Sequence, residues 1–167
     1  MSEIKVNSVV NATGDNDTGI DLATNDQILL KVANVTRLTM NSTGQTTIVG
    51  EGGTTTTSIQ QGLAKAWVHF NGTGTIAIQD SLNVTSLIDH GTGGYTTTIA
   101  NDFGNANYSF IGGGTSATDG RSFVNSPKTD GDIAVGSIRT VCAENGGSGN
   151  DTVDSSNVLQ AMFGDLA

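Results

Sequence analysis

The chain has 167 residues, a formal net charge of −9, only seven Lys and Arg, and 23 glycines against one proline. With 35% apolar and only 14% charged residues it is neither a disordered acidic chain nor a coiled coil. Its seven cations are scattered singly, which excludes the clustered basic groove that nucleic acid needs and a basic face for anionic membranes.

Residues 1 to about 50 hold short apolar alternations separated by Asn, Thr, Asp and Gly. Ile4 alternates to Val6, Ile20 to Leu22, Ile28 to Leu30 and Val32, and Leu38 to Met40. Period-2 alternation predicts strands. No aromatic residue occurs in this span, and strands this short with such small side chains do not close a core within one chain. Two arrangements satisfy them: equivalent strands from other chains, or an ordinary small sheet packed on the remainder of the protein. Gly50–Thr57 has the composition of a linker, which sets the expected domains at residues 1–53 and 54–167. Ser58 is placed to cap one short helix reaching Lys65, with Gln61 three residues on.

From Ala66 the alternation resumes. Ala66, Val68 and Phe70 alternate with Trp67 and His69, and Ile76 and Ile78 with Ala77 and Gln79. Strand patterns continue through Leu82–Leu87, Tyr95–Ile99, Asn107–Ile111, Arg121–Val124, Ile133–Cys142 and Val158–Phe163. Turn chemistry separates them at Asn71–Gly74, Gly91–Gly94, Gly112–Gly120 and Gly146–Asp154. About eight short strands at this spacing predict an antiparallel β-sandwich, jelly-roll-like, or a small barrel.

The residues that could carry chemistry have plainer readings. Cys142 sits alone in an apolar run and pairs with no other cysteine, so it reads as a buried strand side chain. His69 and His90 are too few and too far apart for a dedicated metal site. Asp80, Asp89, Asp102, Asp119, Asp130 and Asp132 each stand beside a turn former or at a strand end, where aspartate makes turns. Gly146–Asp154 fits one copy of a calcium-binding nonapeptide, but one copy completes no site, so a hairpin loop is the reading kept. The glycine-rich loops lack the helix and lysine of a phosphate cradle. The expectation is no catalysis, no cofactor and no resident metal. The first ten residues lack the pattern of a signal peptide, and no window has the length of a membrane-spanning helix.

Two stretches carry a resemblance. AKAWVHFNGTGTIAIQDSLNVTSLIDHGTGGYTTTI, with the closing IRTVCAENGGSGNDTVDSSNVLQAMFGDLA, resembles the distal domain of tail fibres from marine and cyanobacterial bacteriophages. ILLKVANVTRLTMNSTGQTTIVG resembles a module of trimeric phage fibres in which strands of three chains wrap one axis. The resemblance covers roughly residues 58 to 167, with that module before it. It implies a virion structural protein made in the host cytoplasm: a short tail fibre whose knob contacts the host cell surface, a glycan or a protein. It also implies a homotrimer anchored to other tail or baseplate proteins through its N-terminal region. The alternative is a purely structural tail, baseplate or capsid-decoration protein. On this reading Ile28, Leu30, Val32, Leu38 and Met40 meet their symmetry copies in a shared core. Tyr95, Tyr108 and Arg121, beside the turns, are the expected receptor contacts.

Overall fold

The computed structural model describes residues 5–10, 18–23, 26–50, 52–115, 122–146 and 149–167. The protein is nearly all β, 57% strand with one short α-helix, and its sheets are antiparallel. The chain forms two compact units, Met1–Gly62 and Leu63–Ala167.

The first unit is a meander of six strands paired in sequence order: β1 (Ser8–Val10), β2 (Gly19–Asp21), β3 (Ile28–Val32), β4 (Val35–Met40), β5 (Thr46–Val49) and β6 (Thr56–Ser58). Its turns follow from local chemistry. Ala33 and Asn34 both take positive φ, 53° and 57°, the two-residue turn whose twist matches paired strands. In the next turn Asn41 Oδ1 accepts from Thr43 N (3.2 Å), Thr43 Oγ1 (2.7 Å) and Gln45 N (2.9 Å).

The Gly50–Thr57 stretch expected as a linker is instead the β5–β6 hairpin. Gly50 N donates to Thr55 O at 2.8 Å, Gly53 N to Gly50 O at 2.9 Å, and Gly53 has φ +76°. A glycine- and threonine-rich stretch suits a tight turn as well as a linker, and here β5 supplies the pairing edge. Helix α1 (Ile59–Gly62) follows, with Gln61 N donating to the Ser58 hydroxyl at 3.4 Å. Gln60 ties it back, donating to Gly44 O (2.8 Å) and accepting from Thr46 N (3.0 Å). The unit boundary therefore falls after Gly62 rather than after Gly53.

The second unit is a sandwich. One sheet has the order β11-β16-β7-β8, built from β7 (Ala66–Asn71), β8 (Ala77–Leu82), β11 (Ser109–Gly114) and β16 (Val158–Phe163). The other runs β12-β14-β10-β9, from β9 (Val84–Asp89), β10 (Gly94–Ile99), β12 (Ser122–Pro127) and β14 (Ser137–Gly146). Two further short strands, β13 (Ile133–Ala134) and β15 (Gly149–Thr152), also pair with β14. Pro127 ends β12 at the sheet edge, where a missing N–H is tolerated.

Inward residues of both sheets form two apolar clusters. One gathers Ala66, Ile99, Phe103, Tyr108, Ile138 and Met162. The other gathers Val68, Phe70, Tyr95, Cys142 and Val158. The buried side chains also include a hydrogen-bonded polar set: Thr97 Oγ1 donates to Gln160 Oε1 (2.6 Å), and Gln160 Nε2 donates to Thr140 Oγ1 (2.9 Å). Burying polar groups in this way costs little only because each finds its partner.

Candidate functional site

The turns that carry the family resemblance converge on one buried hydroxyl. Tyr95 is 0% exposed. Its Oη lies 2.7 Å from both Gly72 O and Asp154 Oδ1, and it donates its proton between them. Asp154 Oδ1 also accepts from Gly93 N at 2.8 Å. Gly72 N donates to Ser155 O (2.8 Å), and Cys142 N to Gly93 O (2.7 Å). The Phe70 ring meets Tyr95 edge to face, 5.1 Å between centroids and 74° between planes.

Both glycines are demanded by this packing. A Cβ on Gly72 would stand 2.5 Å from the Tyr95 hydroxyl. A Cβ on Gly93 would collide with the Cys142 carbonyl, and Gly93 also has φ +71°. Asn71 and Asp89 shape the same two turns through bonds to Thr73 N (3.0 Å) and Gly91 N (2.8 Å).

Two of the three expected receptor contacts are thereby corrected. Tyr95 is the hub of the lock just described. Tyr108, 7% exposed, stacks on Phe103 at 4.2 Å, and its Oη lies 3.1 Å from Ala134 O and 3.2 Å from Ser137 O. A tyrosine beside a glycine turn satisfies its hydroxyl inside as readily as outside, and here the inside prevails. Burial and the Asp154 carboxylate push the Tyr95 hydroxyl above its usual range; burial takes Tyr108 up to about 12. Burial, then Asp154, raises the Cys142 thiol to about 12, and the side chain is 0% exposed. Arg121 and residues 116–120 of the expected Gly112–Gly120 loop lie outside the described residues. Gly112 and Gly114 of that loop belong to β11, paired with Gln160 and Val158, and a Cβ at either would strike the Asn125 or Asn157 carbonyl. Gly146 and Gly149 pair in the β14–β15 ladder, and residues 147–148 of the nonapeptide match lie outside the described residues. Among the described residues no group of three His, Cys, Asp or Glu is placed to hold a metal ion. Nor does any described helix have the length and apolarity to cross a membrane.

Two surfaces remain. The first is one face of the N-terminal sheet. Directly opposed residues of an antiparallel pair share a face, so the registers give an apolar row Val9–Ile20–Leu30–Leu38–Ile48 across five strands. Ile28 pairs with Met40 and Val32 with Val35 on the same face. All five expected trimer-core residues thus lie together. Ile28, Leu30, Val32 and Met40 are exposed, Leu38 is half-buried, and no described residue of this unit is fully buried. On the opposite face of β2 to β5 the registers align Asp21, Leu29, Thr39 and Thr47, all half-buried. Lys31 Nζ donates to Asp21 Oδ2 there and holds that carboxyl below the usual range.

The second surface is the outer face of the four-stranded sheet β11-β16-β7-β8. One register row reads Ile111–Ala161–Trp67–Leu82, the next Gly113–Leu159–His69–Asp80. Between the large side chains lies a trough of about 430 Å³. A smaller hollow of about 280 Å³ on the N-terminal sheet is lined by the Asp21–Lys31 pair, whose charges satisfy each other. Comparison with family models, curated proteins and solved structures finds no match to this chain.

Proposed function

We infer that the chain is a structural virion protein of a bacteriophage, a short trimeric tail fibre whose N-terminal sheet assembles and whose C-terminal sandwich meets the host surface. The carrying observation is the uncovered apolar face of the first unit. An apolar area of this size on a soluble monomer marks an interaction site.

The face is of modest area. Six strands at about 4.8 Å spacing and about four residues of height give a face of about 400 Å² per copy. Two such faces bury about 800 Å² in one contact and three about 1,200 Å² over three contacts, so area alone does not set the number of copies. Three chains on an axis give strand edges β1 and β6 neighbours to pair with. The resemblance of residues 28–50, 64–99 and 138–167 to phage fibre modules supplies the setting. Burial of Tyr95 and Tyr108 favours the second reading, a purely structural tail or decoration protein with no receptor of its own. Neither reading calls for catalysis or a cofactor.

Light scattering on the purified chain tests the assembly: three times 17.0 kDa is expected. A stable 17.0 kDa monomer at micromolar concentration would overturn it. Labelled antibody against the chain should decorate tails in electron micrographs of intact particles. Label confined to the capsid shell would move the protein to a decoration role.

A further inference from the structure

We propose that the outer face of the β11-β16-β7-β8 sheet is a binding platform for a neutral pyranoside, with Trp67 as the stacking surface and His69 and Asp80 as the polar end. As a receptor contact it rests on the fibre reading above; as a sugar site it does not.

The chain's only tryptophan is not in the core. Alternation with Ala66 and Val68 turns Trp67 outward, half-buried, at the centre of the sheet. Its neighbour across β16 is Ala161, the smallest side chain available, and the diagonal position on β11 is Gly113, with nothing within 4 Å of where a Cβ would stand. The indole is therefore flanked by a hollow rather than by a packing partner. Ile111, 60% exposed, and Leu159, 47% exposed, bound it. The resulting 430 Å³ lies within the range of about 300–1,000 Å³ typical of small-molecule sites.

The face turns polar beside the trough: His69 lines it, and Asp80 stands one strand further out on the same face. His69 pairs directly with Asp80 across the β7–β8 ladder. The His69 Nε2 is fixed by Asn157 Oδ1 at 3.1 Å, while Nδ1 takes no partner among the described residues. Asp80 Oδ1 accepts from Ser81 N at 2.8 Å, and Oδ2 likewise has none. An apolar plate beside one carboxylate and one imidazole matches a pyranose ring, whose C–H face is apolar and whose rim carries hydroxyls. A hydroxyl can donate to Asp80 Oδ2 while its neighbour bonds His69. Charge narrows the class: with Asp80 at the rim and −9 overall, the site disfavours sialylated, phosphorylated or uronic glycans. A shallow platform of this kind binds one sugar weakly, and three copies on one fibre multiply the effect.

Because Trp67 is the only tryptophan, its fluorescence reads the site directly in the full chain. Titration with cellotriose and with chitotriose should give a saturable, millimolar change for at least one. Gly113→Leu fills the hollow without a steric conflict and should weaken that binding at least tenfold, with the thermal transition unchanged. No saturable response to either sugar, or equal binding by Gly113→Leu, overturns the proposal. A change of oligomer size in Gly113→Leu with no sugar response also overturns it, making this face a contact between copies. A trimer blind to both sugars sinks the sugar site alone, and a monomer that binds sinks the fibre reading alone.

Discussion

The two units use the same alternation to opposite ends. In β7 the apolar set Ala66, Val68 and Phe70 is buried and the alternate set half-covered. In β3 the apolar set Ile28, Leu30 and Val32 is the exposed one, and the partners Leu29 and Lys31 are half-buried. The pattern tells which side chains share a face. It does not tell what covers that face. In the second unit another sheet of the same chain does so, and in the first nothing within the unit does. A six-stranded sheet without a single buried residue is half of a core.

That contrast can be broken from either side. Leu30→Asp places a charge at the centre of the apolar row and should have the largest effect. Assembly should weaken at least about 100-fold, since a desolvated, unpaired charge costs several kcal/mol. The melting of the C-terminal sandwich should stay where it was. Sedimentation and calorimetry on one sample would read both, and an unchanged oligomer would dismiss the row as an interface.

In the sandwich the strongest single lesion expected is Gly93→Ala. It forces a side chain onto the Cys142 carbonyl at positive φ, and should cost about 3 kcal/mol in urea unfolding. Tyr95→Phe keeps the ring against Phe70 but strands the Gly72 carbonyl and one Asp154 interaction. A loss of about 1–2 kcal/mol is expected, with assembly untouched. A neutral outcome for both would mean that the turn lock is ornamental to the fold.

A further effect is graded by pH. Tyr108 and Cys142 have ordinary values of 10.0 and 9.0, each raised to about 12 in the fold. Groups whose folded pKa is raised hold their neutral form in the native state. Their contribution is complete below pH 9 and is lost as pH climbs toward 12. The C-terminal transition should therefore fall across that window. Among the described residues the N-terminal sheet has its one resolved shift in the opposite direction, at Asp21, and its folding should weaken in acid as that carboxyl protonates. If the sandwich kept a flat profile to pH 12, the burial of these two groups would be in question.

Much of this fold was legible. Alternation located β7, β10 and β16, and Ser58 announced the helix. What escaped shares a cause: the deciding partner lies far along the chain. Tyr95 reads as a surface aromatic beside Gly91–Gly94 until Asp154, 59 positions later, appears beneath it. Thr97 shares the phase of Tyr95 and Ile99, but nothing in the sequence names Gln160, 63 positions on, as its internal partner. The outward phase of Trp67 was visible in the sequence. Its trough was not, because Ala161 and Gly113 come from strands β16 and β11, and smallness signals nothing until the register is known.

The strand order of the first unit also sets a timetable. Each of its strands pairs with the next one made, whereas β7 has β16 for a neighbour and cannot complete its sheet until the end of the chain is synthesised. Contacts local in sequence form fast and distant ones slowly. The N-terminal sheet can therefore finish pairing on the ribosome while the sandwich is still unmade. On the assembly proposed above, its apolar face would then wait for partner copies during the remaining synthesis. Neighbouring ribosomes on one message would supply them at high local concentration, so yield should depend on translation density as well as on total protein.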